Sequence, residues 1–240
     1  WPLDPAIAAK YPSITVGAVC VHPAMVAGAA KAVARKIPVA SVATNFPSGQ
    51  SFQAVKVTEI EMAIDMGATE IDVVISRGKA LEGNWKMGRE ELGYFQAVCG
   101  DRAKMKIILG VGDLETMEQI ARASEVALEV CRDGDFIKTS TGFEKTNATL
   151  EAGIVMARAI RESGKRVGLK PAGGVKTAKD AMLWYTLMLE ELGAEWCRPD
   201  LFRIGASGGP ADVLVGDLNR QLYHLESDGH YSAFNRHGMS

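Results

Sequence analysis

Asp135-Phe-Ile-Lys-Thr-Ser-Thr-Gly142 is a short apolar run that takes in a lysine and then breaks into hydroxylated residues and glycine. Val167-Gly-Leu-Lys-Pro-Ala-Gly-Gly174 repeats the pattern further along. An apolar strand excludes water, so a lysine inside one is costly unless it is paired or used. Lys138 and Lys170 occupy like places on what read as successive strands. There each cation disfavours charge on the other. Burial acts in the same direction, so one amine is expected to be neutral and nucleophilic near neutral pH.

Outward from these two runs the chain alternates strand and helix signals. Strands are expected over 13–21, 38–44, 70–76, 105–109, 136–141, 167–170 and 201–206. Helices are expected over 24–36, 52–66, 85–99, 115–132, 149–162, 177–192 and 212–223. In 52–66 the stripe is Val55, Ile60, Ala63 and Ile64, with Gly67 closing the helix. Strict alternation with short links predicts a parallel sheet with right-handed crossovers. Seven strand–helix units are one short of the eight that close a barrel. An open doubly wound sheet is the competing architecture, but it calls for a glycine-rich phosphate loop after an early strand, and no G-x-G-x-x-G or G-x-x-x-x-G-K occurs there. The unusual residues instead sit at the ends of many strands, as they do when all strand ends converge on one face of a barrel. A single barrel domain over 1–240 is expected, with a polar tail over 226–240.

Composition narrows the partners. The 240 residues are 47% hydrophobic and 23% charged, with a formal net charge of -2, which argues against a nucleic acid or a membrane as main partner. No stretch is long and apolar enough to span a bilayer, and the opening Trp1-Pro-Leu-Asp-Pro lacks the blocks of a secretory signal. Cys20, Cys99, Cys131 and Cys197 are widely spaced with no CxxC pair. That points to reduced thiols in a cytoplasmic protein, and the four scattered histidines make a metal site unexpected.

Three charged residues stand out within strands: Asp72, Lys138 and Lys170. They could form a structural ion pair inside a barrel layer. Buried ion pairs are seldom retained for stability alone, which favours an amine nucleophile, a second amine that tunes it and a carboxylate that moves protons, the parts for Schiff-base chemistry on a carbonyl compound. Gly173-Gly174 and Gly205-Ala-Ser207-Gly208 follow the last two strands, where backbone N–H groups and a hydroxyl can hold a phosphate, although each could be only a tight turn. Cys20 and His22 end a strand and could line the site or the core. Met182, Trp184, Leu187 and Met188 read as packing.

The segments G-A-V-C-V-H-P (17–23), P-V-A-S-V-A-T-N-F-P-S-G (38–49), E-I-D-V-V-I (70–75), D-F-I-K-T-S-T-G (135–142), G-L-K-P-A-G-G-V (168–175) and F-R-I-G-A-S (202–207) together resemble the deoxyribose-phosphate aldolase family. The resemblance implies a (β/α)8 TIM barrel and a class I aldolase without a metal or other cofactor, its carrier being a covalent lysine Schiff base. It implies reversible cleavage of 2-deoxy-D-ribose 5-phosphate to D-glyceraldehyde 3-phosphate and acetaldehyde, in a protein that can form homo-oligomers. By motif, Lys138 is the Schiff-base lysine, Lys170 the amine that tunes it, and Asp72 the acid/base carboxylate. Gly173, Gly174, Gly205, Ser207, Gly208, Thr139, Thr141 and Cys20 would line the substrate and phosphate site. Three departures stand against it. The family's first strand, with its D-L-T signature, has no counterpart here, which is expected to open the barrel between the last strand and the one at Ser13. Phe143 stands where the family often carries a lysine, with Lys145 nearby, and Gly208 stands where it carries a second serine. These departures leave two alternatives: a sugar-phosphate-binding barrel without turnover, and a related aldolase that takes unphosphorylated aldehydes.

Overall fold

In this computed structural model of the protein, Ala9 and residues 16–206 are described. Ser207, Gly208, the helix expected over 212–223 and the polar tail lie outside the described residues. Strands and helices alternate as β1 (Val19–Val21), α1 (Val26–Val33), β2 (Val39–Ala43), α2 (Gln53–Asp65) and β3 (Glu70–Val74). A short α3 (Arg77–Leu81) and α4 (Trp85–Cys99) follow, then β4 (Lys104–Ile108), α5 (Met117–Val130) and β5 (Phe136–Lys138). The described helices and strands end with α6 (Leu150–Ser163), β6 (Gly168–Lys170) and α7 (Ala178–Leu192), before a short 3-10 turn at Ala194–Trp196.

All neighbouring strands are parallel, in the order β1-β2-β3-β4-β5-β6. Every residue of β2 and β3 is buried, as expected of a parallel sheet covered by helices. The helices start where local chemistry satisfies their free N–H groups. Thr116 with Gln119, and Thr177 with Asp180, form reciprocal capping boxes at α5 and α7, and the Thr149 hydroxyl caps α6. Gly153 on α6 lets α7 approach closely, since a Cβ there would stand 2.3 Å from the Trp184 ring. Trp184, Leu187 and Met188 are buried as expected, but Met182 is exposed.

The sheet is strongly curled. Across a flat sheet, the three strand spacings between β3 and β6 would span about 14 Å. Yet Lys170 on β6 bonds Asp72 on β3 at 2.7 Å. Arg203, beyond β6, likewise reaches Glu70 on β3 at 3.2 Å. Gly17, just before β1, leaves room for the Arg203 side chain, because a Cβ there would lie 2.7 Å from Arg203 Cδ. This is the inward curvature of a TIM barrel, with the helices outside.

Several expectations are corrected in detail. The seventh strand is reduced to single parallel bridges, Leu169 to Phe202 and Ala172 to Gly205. Pro171 explains the break: its carbonyl accepts the Gly205 N–H at 2.8 Å, but it has no N–H to return. The helix α3, five residues long, is too short to display a period in the sequence. In α2, Val55 faces outward while Lys56 is buried, donating to Glu91 at 2.9 Å and to Ser76 at 2.8 Å.

Candidate active site

Strand register places the charged side chains on one face. Asp72 stands opposite Lys106, Ile108 opposite Lys138, and Lys138 opposite Lys170. Residues two apart share a face, so Lys106 and Ile108 point the same way, and all four charges line the inside of the curl. The same alternation through Ala40 and Val42 brings Cys20 to that face.

Asp72 is fully buried and lies at the centre of this cluster. Its Oδ2 accepts from Lys138 Nζ at 2.9 Å and from Lys170 Nζ at 2.7 Å, while Oδ1 accepts from Lys106 Nζ at 2.9 Å. Lys106 also pairs with Glu70 at 2.7 Å, and Glu70 in turn meets Arg203. The exposed thiol of Cys20 lies 3.9 Å from Asp72 Oδ2. Three buried lysines and Arg203 thus share two carboxylates.

Such crowding separates the two amines electrostatically. Burial and the neighbouring Lys170 cation push the Lys138 ammonium below its ordinary range, outweighing the pull of Asp72. Burial acts on Lys170 too, but there Asp72 outweighs it and holds the proton on, raising its pKa. Burial opposes ionisation of Asp72, yet Lys106, Lys138 and Lys170 together hold its carboxyl well below the usual carboxylate range. Glu70 is lowered as well: burial opposes its charge, and Lys106 and Arg203 more than offset that. The result is an ionised carboxylate between one amine inclined to lose its proton and one inclined to keep it.

The residues expected to bind phosphate divide into two groups. Gly173 and Gly174 adopt positive φ angles of 74° and 90° after β6, and no bond among the described residues engages their N–H groups. A Cβ on Gly173 would meet the Asn147 side chain at 2.7 Å, so only glycine fits this turn. The others are engaged within the fold. Thr139 points away from Lys138, and its hydroxyl accepts the Ala172 N–H at 3.0 Å, stitching β5 to the exit of β6. Thr141 gives its hydroxyl to Glu144 at 2.8 Å, and the same carboxylate takes the N–H groups of Thr141 and Gly142. The Gly205 N–H is spent on Pro171.

Two participants escaped the sequence reading, Lys106 and Glu70. In Lys104-Met-Lys106-Ile the charges alternate with apolar residues, which reads as a half-exposed strand end. Only the burial of Lys106, 1% exposed, reveals its role. Glu70, two residues before Asp72 on the same face, could have been found by period alone.

Two clefts of about 660 Å³ open elsewhere, one at the amino ends of β2 and β3 beside Arg35 and Thr69, the other against the outside of α2. Neither includes the amine cluster. Among the described residues no group of His, Cys, Asp and Glu could hold a metal ion, and no helix is long and apolar enough to cross a membrane.

Fold and cluster together define an enzyme of the aldolase kind built on an α/β barrel. The chain belongs to the DeoC/LacD family of aldolases, which it matches over residues 5–209. It is 47% identical over 234 residues to the deoxyribose-phosphate aldolase of Homo sapiens, covering 95% of this chain and 71% of that one. The deoxyribose-phosphate aldolase of Agrobacterium fabrum is 43% identical over 199 residues, covering 82% and 76%. Among solved structures, the aldolase QR15 superimposes with a TM-score of 0.72 at 30% identity, covering 92% of this chain and 89% of that one.

Proposed function

We propose that this aldolase cleaves 2-deoxy-D-ribose 5-phosphate reversibly to D-glyceraldehyde 3-phosphate and acetaldehyde through a Schiff base on Lys138. The carrying observation is the Lys138–Asp72–Lys170 cluster, in which burial and a neighbouring cation favour an uncharged amine at Lys138. The names of the similar curated relatives supply the substrate.

In this reading Lys138 Nζ adds to the C1 aldehyde of the open-chain sugar. Lys170, which keeps its proton, donates toward the departing carbinolamine oxygen, and the iminium forms as water leaves. The iminium accepts the electron pair of the C2–C3 bond while the C3 hydroxyl loses its proton and becomes the aldehyde of glyceraldehyde 3-phosphate. Protonation of the remaining enamine and hydrolysis of its iminium release acetaldehyde and restore the amine. Lys106, Lys138 and Lys170 keep Asp72 ionised, so in this reading it takes up and returns protons through water. It anchors both amines, and water with Lys170 carries the protons. Gly173 and Gly174 offer N–H groups to the phosphate, joined by Ser207 and Gly208. We place the enzyme in the cytoplasm, in keeping with its four unpaired cysteines.

Borohydride reduction in the presence of acetaldehyde tests the reading. An ethyl adduct on Lys138 is expected, and none on the Lys138→Leu variant at that position. A folded wild-type protein that acquires no adduct at Lys138 would refute it.

A further inference from the structure

Above the amine cluster the wall of the site is aromatic. Phe46 sits with its ring centroid 5.9 Å from Lys138 Nζ. Phe143, on the loop after β5, meets Phe46 edge to face, with centroids 5.7 Å apart and planes at 80°. His22 also packs against Phe46, at 5.8 Å and 69°. The rings therefore run from the reacting nitrogen out to solvent, where Phe143 is 71% exposed.

The backbone that presents Phe46 is held in an unusual conformation. Thr44 and Asn45, neither of them glycine, have left-handed φ angles of 63° and 59°. That conformation is costly for consecutive L-residues and persists only where surrounding bonds enforce it. They are present: Thr44 Oγ1 accepts the Val74 N–H at 2.7 Å, the Asn45 N–H donates to Glu59 at 2.8 Å, and Asn45 Nδ2 donates to the Gln50 carbonyl at 2.7 Å. Strain fixed by such a network, next to a candidate nucleophile, marks a residue placed for the site. A large exposed aromatic stacked on it extends the same surface.

We infer that Phe46 and Phe143 are specificity-determining residues that give the acceptor aldehyde a second, apolar seat beside Lys138. The inference rests on the proposed Schiff-base reaction. In the synthetic direction the enamine carbon on Lys138 bonds to the acceptor's carbonyl carbon, whose oxygen takes a proton, and water then frees the product aldehyde from the amine. The acceptor's substituent must leave that carbon in some direction. Toward the Gly173–Gly174 turn it meets N–H groups that no bond among the described residues engages, which suit a phosphate ester. Toward Phe46 and Phe143 it meets two ring edges and faces, which suit an aryl or alkyl group. Asn147, on the segment that follows Phe143, lies against Gly173.

The test compares kcat/KM for addition of acetaldehyde to benzaldehyde and to D-glyceraldehyde 3-phosphate. Benzaldehyde has no α-hydrogen and can act only as acceptor. The wild-type enzyme is expected to form product with both. Phe143→Ala should lower the benzaldehyde-to-phosphate ratio roughly three- to tenfold, the worth of one aromatic contact. Phe143→Lys should lower it further, by replacing the ring of the apolar seat with a charge that an aryl group cannot use. A wild-type enzyme active on the phosphate but inert toward benzaldehyde overturns the inference, as does a ratio that stays within twofold of wild type in both variants. Exchange of the acetaldehyde methyl hydrogens in deuterium oxide reports enamine formation alone. Its absence in the folded wild type overturns the underlying Schiff-base reading, and is thereby told apart from a failure of the aromatic wall.

Discussion

Replacing Lys170 by methionine isolates the electrostatic part of the proposed mechanism. Methionine is apolar, nearly as long and fits the same buried space, so the change removes chiefly a charge. Both lysine nitrogens bond the same oxygen, Asp72 Oδ2, at 2.9 and 2.7 Å, and therefore lie no more than about 5.6 Å apart. At that separation two cations repel by about 3 kcal/mol with an effective dielectric constant near 20. Removing Lys170 removes this repulsion and leaves Asp72 Oδ2 to Lys138 alone, and both changes hold the proton on Lys138 more firmly. The uncharged amine is the reactive form, so its fraction at neutral pH falls by roughly a hundredfold, and kcat/KM with it. Because the pKa of Lys138 rises, the acid limb of the pH–rate profile moves to higher pH and part of the activity returns in alkali. Acetaldehyde release, coupled to an alcohol dehydrogenase and followed from about pH 6 to about pH 10, measures this directly. If the Lys170→Met profile loses the same factor at every pH and its limb overlays the wild type, Lys170 acts in proton transfer and not through its charge.

Asp72→Asn leaves Lys106, Lys138 and Lys170 facing a neutral amide in the interior, at a cost of about 3–5 kcal/mol near neutral pH. Those lysines then bind protons less readily folded than unfolded, so stability rises with pH toward the ordinary lysine range. Thermal melts should show the deficit of Asp72→Asn narrowing between about pH 7 and about pH 10; a constant deficit contradicts the account. Gly173→Ala combines a left-handed backbone with a Cβ 2.7 Å from Asn147. It should cost about 2–4 kcal/mol and raise KM for the phosphorylated substrate; an unchanged melting temperature would show that the turn relaxes freely.

Asp72, Lys138 and Lys170 were legible in the sequence because a charge within an apolar strand is costly enough to demand a reason. Lys106 was not, since Lys104 and Lys106 around Met105 imitate the pattern of a strand with one wet face. Arg203 lies 133 residues from Glu70, and only the curl of the sheet brings them together. Their place beside Lys138 in the sequence points Thr139 and Thr141 toward the substrate. Short hydroxyl side chains bond readily to nearby backbone, however, and both do so or serve Glu144 three residues on. The apolar residues of 201–206 signal a seventh strand, but the N–H that Pro171 lacks leaves only single bridges there. Element order and helix starts came through because capping residues and turn glycines act locally.

The register of β5 against β6, with Lys138 directly facing Lys170, constrains how such a protein can diverge. A one-residue shift of either strand would rotate its amine outward beneath the helices, so gaining or losing a residue there abolishes the pairing outright. The segments between strand ends and helices carry no such restriction. Lineages of this barrel can therefore explore new aldehydes by lengthening or recolouring the 44–50 and 141–148 segments, while the chemistry beneath them is inherited unchanged.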